Sequence, residues 1–172
     1  MIKNLEIAIT AALEAGKAIL NIYHSDDFEV ELKGDNSPLT KADIASHNVI
    51  MSHLKGTNIP VLSEEGKSIP YNDRKDWNQL WIVDPIDGTK EFIKRNGEFT
   101  VNISLIENQK TVLGVIYVPV SGDLYFSAIE MGSYKAAVDL KTYNVAALLK
   151  CAQQLPLERA DKTFTIVASR SH

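Results

Sequence analysis

The apolar positions of the chain first follow a helical period. From Leu5 to Tyr23 they recur every three to four residues, which predicts an amphipathic helix packed on a core. A second helix is predicted to open at Thr40 and to end near Gly56. Its predicted buried face carries four residues: Ala45, Val49, Ile50 and Leu54.

Farther along, the period becomes two, which is typical of a strand with one buried face. Phe99, Val101, Ile103 and Leu105 alternate with polar residues, and turn sequences at 108–109 and 121–123 separate this strand from strands predicted over 112–118 and 124–128. The pattern predicts an antiparallel meander. Shorter predictions are an extended piece within 28–32, a polar loop over 33–37, a strand over 59–62, a loop over 67–78, a helix within 145–152 and a strand over 163–168.

These elements predict an α+β fold with two N-terminal helices packed on a mostly antiparallel sheet. The strand predicted over 163–168 is followed by four residues that form no covering element. We therefore expect residues 1–160 to form an N-terminal domain, and residues 161–172 to begin a truncated C-terminal domain that is largely absent.

Composition narrows the classes of ligand. The chain has 172 residues, of which 45% are hydrophobic, and a net charge of −4, so it can bury a core but has no basic footprint for a nucleic acid polymer. A small-molecule ligand is favoured. Cys151 is the only cysteine, which excludes an internal disulfide and suits a reducing cytoplasm. We find no signal peptide pattern at the N-terminus and no apolar run long enough for a transmembrane segment.

Candidate chemistry is concentrated after the apolar run 80–83. This run ends in Asp84-Pro85-Ile86-Asp87-Gly88, which indicates a buried strand that delivers two carboxylates into a turn. Thr89 is predicted to cap a short helix over 90–94, with the amides of Gly88 and Thr89 forming an anion site. Two carboxylates about 4 Å apart repel by roughly 4 kcal/mol, so they need protons, basic partners or metal, and metal fits best. The same motif is also compatible with a simple connection.

Two further groups of carboxylates have ordinary alternatives. Glu64 and Glu65 follow the strand predicted over 59–62, and adjacent loop glutamates are usually just solvated. Asp43 is the fourth residue of a Thr-Xaa-Xaa-Asp capping box that begins at Thr40, so its carboxylate has a structural partner available in the Thr40 amide.

Taken together, Ser63-Glu64-Glu65 about twenty residues before Asp84-Pro85-Ile86-Asp87-Gly88-Thr89 resembles the inositol monophosphatase superfamily of magnesium-dependent, lithium-sensitive phosphatases. The segment 90–102 is similar to the 3′(2′),5′-bisphosphate nucleotidase branch of the CysQ type, because Glu91-Phe92 stands where inositol phosphatases tend to have Asn-Phe. The resemblance implies a layered α/β sandwich of the sugar-phosphatase type.

The resemblance also implies roles for single residues. Glu64, Asp84, the Ile86 carbonyl and Asp87 would bind two or more Mg²⁺ ions, an all-oxygen ligand set that suits this metal. Li⁺ would inhibit. Glu64, Asp87, Gly88 and Thr89 would contact the substrate phosphate, and Glu64 and Thr89 would orient the attacking water. Asp43 would act with Thr89 as a proton relay, with the capping box as the open alternative.

The implied activity is removal of the 3′-phosphate of adenosine 3′,5′-bisphosphate to give AMP, in sulfate assimilation or nucleotide recycling. An inositol or sugar monophosphatase is the alternative within the enzyme class, and a non-catalytic metal-binding or interaction fragment is the alternative outside it. A later Trp-Asp motif of the family has no counterpart here. We therefore expect the chain alone to be poorly active and to self-associate. The expected location is the cytoplasm, with the cytoplasmic face of the inner membrane as a peripheral alternative.

Overall fold

A computed structural model describes residues 1–25, 30–32 and 38–157, and for residues 30–32 it describes the backbone alone. The strand predicted over 163–168 and the predicted domain boundary after residue 160 lie outside these residues, as does the polar loop at 33–37. The elements in chain order are α1 (Ile2–Tyr23), β1 (Val30–Leu32), β2 (Pro38–Thr40), α2 (Lys41–Leu54), a 3₁₀ turn (Lys55–Thr57), β3 (Val61–Ser63), α3 (Tyr71–Arg74), β4 (Gln79–Asp87), α4 (Thr89–Ile93), β5 (Thr100–Glu107), β6 (Lys110–Val118), β7 (Asp123–Ala128), β8 (Gly132–Ala137), α5 (Val145–Cys151) and β9 (Gln153–Gln154).

The main sheet has its strands in sequence order from β3 to β9. β3 runs parallel to β4, and every other neighbouring pair is antiparallel. The predicted α+β class and the mostly antiparallel sheet are therefore confirmed. Asn108 and Gln109 join β5 to β6 with φ angles of 49° and 63°, which is the left-handed backbone that a two-residue hairpin requires.

The two N-terminal helices pack on each other, and α1 also packs on β5 and β6. Their apolar faces and the alternate residues of β4 to β7 form one hydrophobic core, which includes Trp81, Ile103, Leu105 and Tyr117. At Gly16, α1 lies so near the sheet that an added Cβ would overlap the ring of Tyr117. A glycine at this position lets the helix approach the sheet.

The buried face of α2 differs from the prediction. Ala45 and Val49 are half-buried, whereas the buried positions include Asp43 and Ser46. The side of α2 that carries Asp43 and Ser46 faces inward, and both of these polar side chains form hydrogen bonds there. Polar burial of this kind is tolerated when the groups are hydrogen-bonded.

The central strand also differs. β4 continues to Asp87 instead of ending in a turn after Val83. The run 80–83 is buried on one face, since Trp81 and Val83 are buried whereas Ile82 is 42% exposed. The predicted loop over 67–78 contains one helical turn, α3, and strands β8 and β9 were not predicted. The helix predicted within 145–152 is confirmed as α5.

Candidate active site

Three segments of the chain form the candidate site: the end of β3, the Asp84 to Asp87 part of β4, and the start of α4. β3 pairs in parallel with β4 so that Ser63 lies opposite Val83. The amide of Glu64 donates to the Val83 carbonyl at 3.0 Å. Glu64 and Asp84 are the next residues after this pair, and they lie close enough for the charge of Glu64 to raise the pKa of Asp84. The structure therefore brings together carboxylates that stand twenty positions apart in the sequence.

The Asp84 to Asp87 part of β4 contains a bulge. Asp84 pairs with Asn102 and Asp87 pairs with Thr100, so β4 has one more residue than β5 over this stretch. A bulge of this kind bends a strand and redirects its side chains, and bulges are common beside active sites. The Asp84 to Asp87 motif is therefore a bulged strand rather than the predicted turn.

The carboxyl group of Asp84 is electrostatically unusual. Burial, the neighbouring charges of Glu64 and Asp87 and a side-chain hydrogen bond with Glu64 together raise its pKa from 3.8 to about 7, while a backbone hydrogen bond from Ile86 opposes the increase. Its Oδ1 atom is buried, and no hydrogen-bond partner for it is found among the residues that the structure describes. An unpartnered buried carboxyl oxygen costs free energy, so this position favours a proton or a cation.

Asp87 is exposed and has a partner that the sequence analysis missed. The amide nitrogen of Asn102 donates to Asp87 Oδ2 at 3.1 Å, and Thr100 Oγ1 donates to Asn102 Oδ1 at 3.0 Å. Asn102 is one of the polar residues that alternate with the buried residues of β5. This alternation could have placed Asn102 on the face of the sheet that Asp84 also uses.

The prediction that Thr89 caps α4 is wrong. The N-cap is Gly88, whose φ is +101°, and Thr89 is the first helical residue. A Cβ at position 88 would lie 3.0 Å from the Glu98 carbonyl oxygen, so both the conformation and the space favour glycine. The hydroxyl of Thr89 instead lies 3.1 Å from Asp43 Oδ1 and 3.3 Å from the Ile86 carbonyl oxygen.

Asp43 both caps α2 and contacts Thr89, the two roles that the sequence left open as alternatives. Its Oδ2 accepts from the Thr40 amide at 2.8 Å and from the Thr40 hydroxyl at 2.6 Å, which forms the capping box of α2. Its Oδ1 accepts from the Thr89 hydroxyl. The two contacts use different oxygens, so the cap and the link to Thr89 exist together.

Two more residues of α2 contact the site segments. The Ser46 hydroxyl donates to the Pro85 carbonyl at 2.8 Å, and His47 Nδ1 lies 2.8 Å from Ser63 Oγ. Neither residue was among the predicted site residues. Their spacing from Asp43, at three and four positions, was the available signal, since it places all three on one side of a helix.

Within the part of the chain that the structure describes, no group of three or more His, Cys, Asp and Glu side chains forms a metal-binding cluster by itself. The donors still fit Mg²⁺, which binds through one or two carboxylates and keeps several waters. The buried Asp84 Oδ1 atom and the raised pKa of Asp84 beside Glu64 are the features that a divalent cation would satisfy. The Ile86 carbonyl and Asp87 would supply further oxygens.

Comparison with known proteins gives consistent matches. Residues 3–170 match the inositol monophosphatase family. The 3′(2′),5′-bisphosphate nucleotidase CysQ of Escherichia coli strain K12 is 52% identical over 120 residues, which are 68% of this chain and 48% of that protein. The protein of the same name from Buchnera aphidicola is 45% identical over 174 residues, covering 99% of this chain and 60% of that protein.

Among solved structures, CysQ from Bacteroides thetaiotaomicron matches with a TM-score of 0.85 at 49% identity, covering 99% of this chain and 64% of that one. The extragenic suppressor protein SuhB from Bartonella henselae matches with a TM-score of 0.68 at 29% identity, over 75% of this chain and 50% of that one. The resemblance inferred from the motifs is thereby confirmed. The chain spans about half the length of the curated relatives it matches. None of the described helices is long and apolar enough to cross a membrane.

Proposed function

The chain belongs to the inositol monophosphatase family, and we propose that it carries the metal- and phosphate-binding part of a phosphatase that removes the 3′-phosphate of adenosine 3′,5′-bisphosphate to give AMP. One observation carries the proposal: the buried, unpartnered oxygen of Asp84, beside Glu64 and Asp87, lies on a bulged strand that leads into Gly88 and Thr89. The substrate assignment is supported by the names of the relatives, which are bisphosphate nucleotidases at 45–52% identity.

In this proposal, Glu64, Asp84, Asp87 and the Ile86 carbonyl hold Mg²⁺. Bound Mg²⁺ supplies charge that balances the phosphate oxygens and lowers the pKa of a water ligand. We also propose that the site holds more than one Mg²⁺ ion and that Li⁺ inhibits the enzyme. Support comes from the chemistry of the donors, which are all hard oxygens without His or Cys.

The side chain of Thr89 is held in a way that suits it to orient a water. Its hydroxyl proton is directed at Asp43 Oδ1 or at the Ile86 carbonyl, which leaves oxygen lone pairs able to accept from a water. Asp43 cannot turn away easily, because Thr40 holds its other oxygen through two hydrogen bonds. We propose that Glu64 faces the same water and that Asp43 receives a proton through Thr89.

The phosphate of the substrate would lie near Gly88 and Thr89. We propose that the amides of Gly88 and Thr89, at the N-terminal end of α4, donate to phosphate oxygens, since the first amides of a helix have no acceptor within the helix. Gly88 has no side chain to block their approach. Glu64 and Asp87 would lie beside the same phosphate.

An inositol or sugar monophosphatase is the second candidate within the family, and the identity with named nucleotidases disfavours it. A cytoplasmic location, including contact with the cytoplasmic face of the inner membrane, remains a prediction, for which the exposed thiol of Cys151 is the supporting feature. Self-association of the chain also remains a prediction.

A chimera tests the proposed function. The part of Bacteroides thetaiotaomicron CysQ that this chain matches would be replaced by this chain, and phosphate release would be measured on adenosine 3′,5′-bisphosphate and inositol 1-phosphate. We expect Mg²⁺-dependent release with preference for the bisphosphate, and loss of release in the Asp87→Asn chimera. A folded chimera that prefers inositol 1-phosphate would support the second candidate, and one that hydrolyses neither substrate would contradict both.

A further inference from the structure

One helix contacts all three segments of the candidate site. Asp43, Ser46 and His47 stand at positions i, i+3 and i+4 of α2 and therefore lie on one side of it. Their side chains reach, in order, the start of α4 at Thr89, the β4 bulge at Pro85 and the end of β3 at Ser63. These contacts span 46, 39 and 16 positions of sequence respectively.

The contact of Ser46 holds the bulge. Ser46 is fully buried, and its hydroxyl donates to the Pro85 carbonyl at 2.8 Å. Proline has no N–H for the strand ladder, and a bulge leaves a residue without a ladder partner. The hydrogen bond from Ser46 gives the Pro85 carbonyl a partner from α2 at the residue that directly follows Asp84.

The contact of His47 holds the end of β3. Its Nδ1 atom lies 2.8 Å from Ser63 Oγ, with the donor set by the imidazole tautomer. Ser63 is the last residue of β3, and Glu64 comes next. A displacement of Ser63 would therefore move Glu64 relative to Asp84.

We propose that Ser46 and His47 are positioning residues that fix the spacing between the carboxylates of Asp84 and Glu64. The ligand whose binding depends on that spacing, a divalent cation with phosphate, rests on the proposed function. The positioning itself is a property of the metal-free protein and can be measured separately.

His53 is the matched control. It also lies on α2, and its Nε2 atom is 2.9 Å from Glu14 on α1, so it makes a hydrogen bond of similar length that does not involve a site segment. Any effect that comes only from loss of a hydrogen bond between α2 and a neighbouring element should appear in His53→Ala as well as in His47→Ala.

The first experiment measures amide hydrogen exchange by NMR in the metal-free protein. In His47→Ala we expect the Glu64 amide, which donates to Val83, to exchange about fivefold faster, the effect of losing one hydrogen bond, while α1 amides keep their rates. His47→Asn should restore the slow rate because its amide lies near the place of Nδ1, and His47→Gln should not. An unchanged Glu64 rate, or equal acceleration throughout the molecule, would overturn the proposal.

The second experiment measures Mg²⁺ affinity by calorimetry. We expect Ser46→Ala and His47→Ala to weaken binding about tenfold, as is typical for residues that orient metal ligands, and His53→Ala to leave it unchanged. If His47→Ala does not fold, Ser63→Ala removes the same contact from the other side. Wild-type affinity in folded His47→Ala and Ser63→Ala would overturn the proposal. A wild-type chain that binds no Mg²⁺ would instead contradict the proposed function, and the exchange rates would still decide the positioning by His47.

Discussion

Asp84→Asn should stabilise the metal-free protein at neutral and alkaline pH. Asparagine is close in shape to the protonated aspartate and never carries the negative charge that this position disfavours. The pKa of Asp84 is raised from 3.8 to about 7 by burial and by the charges of Glu64 and Asp87. The substitution removes the need to bury a charge and also removes its repulsion from two neighbours.

The expected magnitude follows from the size of the shift. A rise of about three pKa units corresponds to about 4 kcal/mol, and since the carboxyl is partly accessible to solvent we expect about half of this, about 2 kcal/mol. Because the folded pKa lies above the unfolded one, the stability that protonated Asp84 contributes is fully present below about pH 4 and is lost as the pH rises through about 7. The advantage of Asp84→Asn over wild type should therefore grow over this range.

Thermal unfolding in the presence of a chelator measures this advantage. At pH 8, the Tm of Asp84→Asn should exceed that of wild type by about 4 to 8 °C more than it does at pH 4.5. Asp123→Asn is a control of opposite sign, because a hydrogen bond from Lys135 lowers the pKa of Asp123, so its contribution is lost as the pH falls. A difference between Asp84→Asn and wild type that is equal at the two pH values, or larger at pH 4.5, would refute the reasoning.

Three further predictions concern the rest of the site. In the chimera, Thr89→Ala should lower kcat far more than KM, because a water-orienting hydroxyl acts in the transition state, and a change confined to KM would leave Thr89 as a ground-state contact. Gly88→Ala should lower the free energy of unfolding by about 1–3 kcal/mol because of its positive φ, whereas Gly56→Ala, whose Cβ would meet nothing within 4 Å, should not destabilise the protein, as chemical denaturation would measure. The chain by itself should release phosphate from adenosine 3′,5′-bisphosphate well below about 1 s⁻¹ and self-associate; a monodisperse monomer that reaches this rate would contradict both expectations.

Local physics explains which parts of the fold could be predicted from the sequence. The helical period of α1 and the alternation in β5 are strong signals, and the turn at Asn108 and Gln109 begins with an asparagine, which tolerates a left-handed backbone. β8, with the sequence Gly132–Ala137, lacks a run of β-branched residues, so its pairing with β7 comes from tertiary context. The bulge in β4 depends on its register with β5, which a single strand does not encode.

Only part of the candidate site could be predicted, because the sequence does not show contacts between distant segments. Its carboxylates stand at the ends of apolar runs and are visible in the sequence, but the residues that hold them in place are not. Thr89 had the residue type of a helix cap, yet the left-handed conformation of Gly88 placed the cap one residue earlier. The contacts of Ser46 and His47 join segments far apart in the chain, so they required the packing of α2 against the sheet.

Calorimetric titration with Mg²⁺ tests the central claim most directly, since the claim is that Glu64, Asp84 and Asp87 form the metal site of a phosphatase. The wild-type chain should bind Mg²⁺ weakly at pH 7.5, and the double variant Asp84→Asn, Asp87→Asn should show no binding while it stays folded. Glu130→Gln, in the turn between β7 and β8, is a control for the loss of negative charge and should bind like wild type. Equal Mg²⁺ binding by the wild type and the double variant would contradict the account.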